Sequence, residues 1–278
     1  MNDQNLSAYS SPHAIEVYSR SNTLTPCESY LFDRYIAPGQ AVLDLGVGGG
    51  RTTAHLAASA SSYVGLDYSQ AMVDVCREKF PTLQFVCDDA CDLQRFASNS
   101  FDVVVFSFNG IDTIRTDSAR TRCFTEAARV LSASGYFIFS SHNARAIGFK
   151  ANLRKYLLDR VVKSEHVVTS ITTVSKARSL AAEVGLRRLL RKFWRSLRIS
   201  IAIFWRKLLV PEPLRGTGYF FEYSHGGLIL FASTPKYVSA EAKNAGFEVV
   251  EVVGNIYPAN CPNYAIQSYY YVLRVSPK

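Results

Sequence analysis

The chain has 278 residues, 48% of them hydrophobic, and a formal net charge of +8, ample for one large domain or one domain carrying an insertion. Its six cysteines (Cys27, Cys76, Cys87, Cys91, Cys123, Cys261) are scattered without C-x-x-C spacing or a paired histidine cluster, so neither a disulfide framework nor a zinc site is expected and no metal ligand set is assigned. Residues 144 to 210 hold sixteen Lys and Arg against Asp159, Glu165 and Glu183, a net +13, which leaves the rest of the chain at −5.

Met1 to Ser21 is polar and broken by Pro12, which is not the order of a secretory leader, and a cytoplasmic protein is expected. Pro12 to Arg20 reads as a short helix, and Thr25-Pro26 supplies an N-cap and an N1 proline for another reaching about Ile36. Ala41 to Leu45 is apolar except for Asp44, as a strand covered on both faces should be. It runs directly into Gly46-Val47-Gly48-Gly49-Gly50-Arg51-Thr52-Thr53, a glycine hinge and helix start whose missing Cβ atoms let a ligand reach backbone N–H groups. A second apolar strand, Tyr63 to Asp67, ends in an acid roughly twenty residues later, where doubly wound folds grip ribose hydroxyls. Together these read as a nucleotide-binding turn. The dinucleotide fingerprint would need a third glycine where Arg51 stands, so NAD is disfavoured.

Ser69 can cap a helix to about Lys79, and further strands are expected at Phe85 to Cys87 and Phe101 to Phe106. A helix from about Asp117 to Ser132 leads, past Gly135, into a fifth strand ending at Ser141. This βαβ rhythm predicts a parallel sheet. Thr234-Pro235 then starts a helix ending at Asn244-Ala245-Gly246, followed by strands Phe247 to Val253 and Gln267 to Arg274. Residues 1–143 and 234–278 therefore read as one domain closing around an insertion at 144–233.

Within the insertion, Leu186, Leu190, Phe193, Leu197, Ile201, Phe204 and Leu208 recur at spacings of three and four, a helical stripe of roughly 35 Å at 1.5 Å per residue. Arg187, Arg188, Arg191, Lys192, Arg195, Arg198, Arg206 and Lys207 take the other faces, and Trp194 and Trp205 flank the stripe. Such a basic amphipathic helix suits peripheral contact with an anionic membrane. It is equally the pattern of a lid helix packed on a core or of a homodimer contact. Its apolar run is too short to span a bilayer.

The glycine turn with an acid opening it, D-x-G-x-G-x-G from Asp44 to Gly50, resembles the first motif of the class I S-adenosylmethionine-dependent methyltransferases. Further resemblances follow in that family's order: Asp67-Tyr68-Ser69, Phe85 to Ala90, Phe101 to Ser107, and Arg129-Val130-Leu131 with Gly135 to Ser141. The resemblance implies a Rossmann-like sheet of seven mostly parallel strands, the last antiparallel, with helices on both faces and a helical insertion acting as the acceptor lid. It implies S-adenosyl-L-methionine as cofactor and S-adenosyl-L-homocysteine as product. By the same resemblance the Gly46, Gly48 and Gly50 turn passes under the methionine moiety, Asp67 takes the ribose diol, and Asp89 with the Ala90 N–H reads the adenine edge. Tyr68, Ser107, Asn109 and Tyr18 are placed among the cofactor contacts, with Tyr9 and Tyr18 closing over it from the N-terminal helix. Asp44, on a central strand, is expected to receive N–H bonds from the glycine turn or to help hold the cationic cofactor. Arg51 departs from the family's usual small residue and could instead cap the loop.

Acceptors in open α/β sheets sit beyond the carboxyl ends of strands, which selects Asn109 and Asp112 after strand four and His142 and Asn143 after strand five. A base is wanted only for O-methylation, and histidine suits proton transfer near neutral pH. His225 and His142 are the candidate catalytic bases. His142 reads alternatively as a hydrogen-bonding residue for the lid and His225 as a structural loop residue. Neither N-P-P-Y nor a Pro-Cys pair follows strand four, so nucleic acid is disfavoured. The expected acceptor is a hydroxyl or amine of a small molecule, sugar or lipid-linked glycan. The alternative is a non-catalytic cofactor-binding scaffold that uses its basic helix to reach a membrane or partner.

Overall fold

Strands that are apolar at nearly every position must be covered on both faces, and the inner strands Ala41–Leu45 and Phe101–Phe106 are. The structure is a computed structural model that describes residues 4–146, 217–222, 227–258 and 266–276. The chain divides into two compact units, Met1–Ala144 with Gly216–Lys278, and Arg145–Arg215. All the elements named below belong to the first.

In chain order they are α1 (Gln4–Tyr9), α2 (Pro12–Arg20), α3 (Pro26–Tyr35), β1 (Ala41–Leu45), α4 (Thr53–Ala57), β2 (Ser62–Asp67), α5 (Gln70–Lys79), β3 (Gln84–Cys87) and β4 (Phe101–Phe106). A 3-10 turn at Gly110–Thr113 precedes α6 (Asp117–Val130) and β5 (Leu131–His142). β6 (Gly218–Glu222), β7 (Leu228–Ala232), α7 (Pro235–Asn244), β8 (Phe247–Gly254) and β9 (Ser268–Val275) complete the unit. The seven-stranded sheet has the order β3-β2-β1-β4-β5-β9-β8. Only β9 runs antiparallel to its neighbours, the expected Rossmann-like arrangement. The order reverses between β1 and β4, which opens the crevice at their carboxyl ends where such sheets bind ligands.

The period-two alternation of strand side chains divides the core. Val42, Val103 and Val105 face Leu31, Leu56 and Val73 from α3, α4 and α5. Leu43, Leu45, Val104 and Phe106 face Phe124, Ala127, Val238 and Ala242 from α6 and α7. Local caps set the helix starts. Thr25 accepts the Glu28 N–H while Glu28 returns a bond to the Thr25 N–H, with Pro26 in the first turn. Ser11 and Thr234 cap α2 and α7 one way, accepting the Ala14 and Tyr237 N–H groups, each with a proline next.

Three details depart from the sequence reading. Ser69 stands at the N-cap position of α5 but makes no capping bond, because its hydroxyl pairs with Ser10 at 3.0 Å. α6 stops at Val130 and β5 begins at Leu131, since Leu131 already pairs with Phe101 of β4. Residues 218–232, read as part of the insertion, include an antiparallel ribbon, β6 with β7. The chain leaves and rejoins the sheet at one point: the Ser233 N–H donates to the His142 carbonyl and the Ala144 N–H to that of Ser233, both 2.9 Å. The lid stripe at 186–208 lies outside the described residues. Among them no helix is long and apolar enough to cross a membrane.

Candidate active site

The turn after β1 is built to leave its backbone bare. Gly48 has φ +54° and a Cβ there would meet nothing within 4 Å, so the residue both needs the left-handed region and faces open space. Its N–H donates to Asp67 Oδ2 at 2.8 Å, and the Ser69 N–H donates to Oδ1 at 2.9 Å. Burial raises the Asp67 carboxyl above its ordinary value, and these N–H groups oppose the rise. Each oxygen keeps further acceptor capacity for a ligand hydroxyl.

Asp44 does not receive N–H bonds from the glycine turn. Its Oδ2 accepts the Thr52 hydroxyl at 2.6 Å and the Tyr63 hydroxyl at 3.0 Å, and it is absent from the cavity wall. The turn's N–H instead goes to Asp67, at the very end of β2, whereas Asp44 is 1% exposed. Burial pushes its carboxyl up to about 6 against the two hydroxyl bonds.

A cavity of about 780 Å³ occupies the crevice, within the roughly 300–1,000 Å³ of small-molecule sites. Of the expected contacts, Gly46, Gly48, Asp67 and Tyr68 line one part of it, and Asp89, Ala90, Ser107 and Tyr18 the rest. Gly50 is not on the wall, and a Cβ there would lie 2.7 Å from the Phe80 ring. Asp89 Oδ1 accepts the Cys91 N–H at 2.8 Å, which sets the loop that carries the Ala90 N–H.

The N-terminal helices contribute to the wall. Tyr9 and Tyr18 both line the cavity, with ring centroids 5.7 Å apart and hydroxyls hydrogen-bonded, and burial raises both phenols. α2 packs so closely that a Cβ on Gly49 would lie 2.5 Å from the Tyr18 backbone. Lys79 Nζ bonds the carbonyls of both Ser19 and Gly49. Asn5 of α1 continues the β7 edge, exchanging bonds of 2.8 and 2.9 Å with the Ile229 backbone.

Beside the glycine turn, β4 leads into Ser107-Phe108-Asn109-Gly110, where Phe108 and Asn109 have φ of 54° and 61°. The Asn109 N–H donates to Ser140 Oγ at 2.7 Å. Its side-chain amide donates to Ser268 Oγ and lies 3.2 Å from His142 Nε2. His142 Nδ1 lies 2.7 Å from Asp112 Oδ2, and Ser141 Oγ donates to Asp112 Oδ1 at 2.7 Å. A carboxylate partner places the proton on Nδ1, which leaves the Nε2 lone pair as the ring's basic site. Burial raises the Asp112 carboxyl, and the bonds from His142 oppose that. Asn109, Asp112 and His142 stand behind the cavity wall formed by Phe108 and Gly110 rather than in it. His225 lies outside the described residues.

Sequence reasoning passed over Phe108 and assigned Arg51 no contact. Both line the cavity, and the Arg51 guanidinium sits 4.9 Å from the Phe108 ring centroid. Arg51 also pairs with both carboxylate oxygens of Glu28 at 2.6 and 2.7 Å. The signal that could have found Phe108 was its position two residues past strand four, beside Asn109.

A family model described as a methyltransferase domain matches residues 42–135. The demethylmenaquinone methyltransferase of Mycobacterium sp. (strain KMS) is 30% identical over 182 residues, 62% of this chain and 73% of that protein. That of Renibacterium salmoninarum is 31% identical over 122 residues, 44% of this chain and 49% of that protein. The chain spans about half the length of the first curated relatives it matches. The solved structure of the CcbJ methyltransferase from Streptomyces caelestis matches with a TM-score of 0.57 at 17% identity, covering 95% of this chain and 96% of that one, a likeness of fold.

Proposed function

Because the chain belongs to the class I S-adenosylmethionine-dependent methyltransferase family, we propose that it transfers a methyl group to a hydroxyl or amine of a small molecule, sugar or lipid-linked glycan. The observation that supports this reading most is that the Gly48–Asp67 turn and the strained turn after β4 line one cavity. The Gly48–Asp67 turn fits S-adenosylmethionine, since Gly48 leaves open space and Asp67 presents a buried carboxylate beside it. When bound, that cofactor supplies a methyl already made electrophilic by its sulfonium.

The protein's remaining tasks are alignment and proton removal. Asp67, Asp89 and the Ala90 N–H would hold the nucleoside, and α1 with α2 would exclude water from it. A hydroxyl acceptor would need a base in this chain to take its proton. His142, oriented by Asp112, is our candidate for that base, reached past Asn109. His225 keeps its candidacy on sequence position alone.

The test is transfer of labelled methyl from S-adenosylmethionine to a panel of phenols, amines and sugars, after calorimetry with S-adenosylhomocysteine. Product with any of them supports an enzyme. Cofactor binding with no transfer to any class would favour the scaffold reading. The basic segment 186–208 stays proposed, on its sequence pattern, as a lid that meets an anionic membrane surface or a second copy of the chain.

A further inference from the structure

His142 ends β5, and the ribbon that returns to the sheet grips it twice. β7 runs directly into Ser233, whose N–H donates to the His142 carbonyl at 2.9 Å, while the Ser233 and Ser141 hydroxyls lie 3.4 Å apart. On β6, the Phe220 ring meets the imidazole edge to face, with centroids 5.2 Å apart and planes at 79°.

The ribbon is itself fixed on both faces. Successive strand residues point to opposite sides, so Tyr219 with its cross-strand partner Phe231 takes one face and Phe220 with Leu230 the other. Arg120 of α6 holds the first: its Nη1 donates to the Tyr219 hydroxyl at 3.1 Å, and its guanidinium lies 3.4 Å from the Phe231 ring centroid. α1 holds the second. Phe220 packs against the apolar cluster of Ala8, Leu228 and Leu230. The buried Asn5 side chain exchanges bonds with the Ile229 backbone and also donates to the Thr113 carbonyl at 3.2 Å, one residue past Asp112. α1 therefore meets both the ribbon that flanks the imidazole and the turn that carries its carboxylate partner. The same helix brings Tyr9 to the cavity wall.

The imidazole's two nitrogens meet Asp112 and Asn109, and bonds in the ring plane leave a ring free to tilt. An edge-to-face neighbour opposes that tilt and covers the flank. We propose that Phe220 is a positioning residue for His142, holding the imidazole against Asp112 and shielding that bond from water, and that α1 keeps Phe220 in place. The proposal rests on the methyl-transfer reading, in which His142 is the base, and adds what orders that base. It makes the helix that lines the cavity with Tyr9 a support of proton removal as well.

The experiment follows the His142 Nδ1 proton by NMR in water, in protein loaded with S-adenosylhomocysteine, the signal being identified by its loss in His142→Gln. A ring N–H that is bonded to a carboxylate and shielded from water exchanges slowly, and loosening its surroundings speeds exchange. Phe220→Leu, which keeps apolar bulk without the ring, is expected to speed exchange about tenfold, and Phe220→Tyr to keep the wild-type rate. Asn5→Ala, which touches neither ring, is expected to speed it as well. Thermal melts of the variants establish that each is folded. Absence of the His142 proton in the wild type, or unchanged exchange in Phe220→Leu, overturns the proposal, and unchanged exchange in Asn5→Ala overturns the part given to α1. The preceding S-adenosylhomocysteine titration separates the claims: its failure overturns the methyl-transfer reading and with it this proposal, whereas its success with no response at Phe220 overturns this proposal alone.

Discussion

His142 meets a single oxygen of Asp112, Oδ2, with two groups at once, its backbone N–H and its ring Nδ1, each at 2.7 Å. The ring is thereby fixed in plane and tautomer, with Nε2 directed at Asn109. A histidine held this way, with its side chain 22% exposed, has the geometry of an oriented base.

With an acceptor in hand, His142→Ala is expected to lose about 10²- to 10⁴-fold in turnover while S-adenosylhomocysteine binding holds. Asp112→Asn, which loses the charge but keeps the shape, should fall between and shift the pH–rate profile. Normal turnover in both variants would mean that proximity alone drives transfer or that the acceptor is an already neutral amine.

The Glu28–Arg51 pair is a buried charge pair next to the cavity. Burial by itself would raise the Glu28 carboxyl, and Arg51 with the Thr25 N–H outweighs it and holds it below its ordinary value. Its contribution is therefore present at neutral pH and lost as pH falls through that lowered value. Glu28→Gln keeps an acceptor for the Thr25 N–H but strands the guanidinium, which should cost about 3 to 5 kcal/mol in urea unfolding at pH 7. A loss well under about 1 kcal/mol would show that the pair is solvated.

Gly49→Ala should displace α2, since the added carbon would lie 2.5 Å from the Tyr18 backbone. Overpacking of this kind costs about 1 to 3 kcal/mol, drawn here from closure of the N-terminal helices. The expected readouts are faster tryptic cleavage at Arg20 and weaker S-adenosylhomocysteine binding. Wild-type rates and affinity would mean that α2 is not part of the cofactor site.

Asp44 has its carboxyl raised to about 6 by burial, so the folded state holds a proton that the unfolded chain releases near the ordinary carboxylate value. Stability should then fall as pH rises between those two values and level off above the upper one. Relative to Asp44→Asn, which does not titrate, the wild type should lose about 2 kcal/mol between pH 4 and pH 7. Parallel pH profiles for the two proteins would place the carboxylate in contact with water.

Helix starts were legible in the sequence because a cap and a proline are adjacent residues: Thr25-Pro26 and Thr234-Pro235 place α3 and α7 without reference to the rest of the chain. The sheet followed from strands that are apolar on both faces. The place of Asp67 on the cavity wall was legible because it depends on a strand end and one turn. Asp44 was not, since Thr52 and Tyr63 approach it from separate elements that meet only in the fold. The left-handed Phe108 was hidden for the same reason: no glycine marks the position, and the bonds that impose its conformation come from β5 and from the end of the glycine turn. The β6–β7 ribbon escaped because its docking partner, Asn5, lies more than 220 residues away.

Calorimetric titration of S-adenosylhomocysteine into the wild type and Asp67→Ala tests the central claim most directly. The account predicts affinity on the order of micromolar for the wild type, a loss of about 1 to 3 kcal/mol in the folded variant as ribose hydroxyls lose their acceptor, and no heat with NAD. Binding of NAD with no response to S-adenosylhomocysteine, or equal affinity in Asp67→Ala, would contradict it.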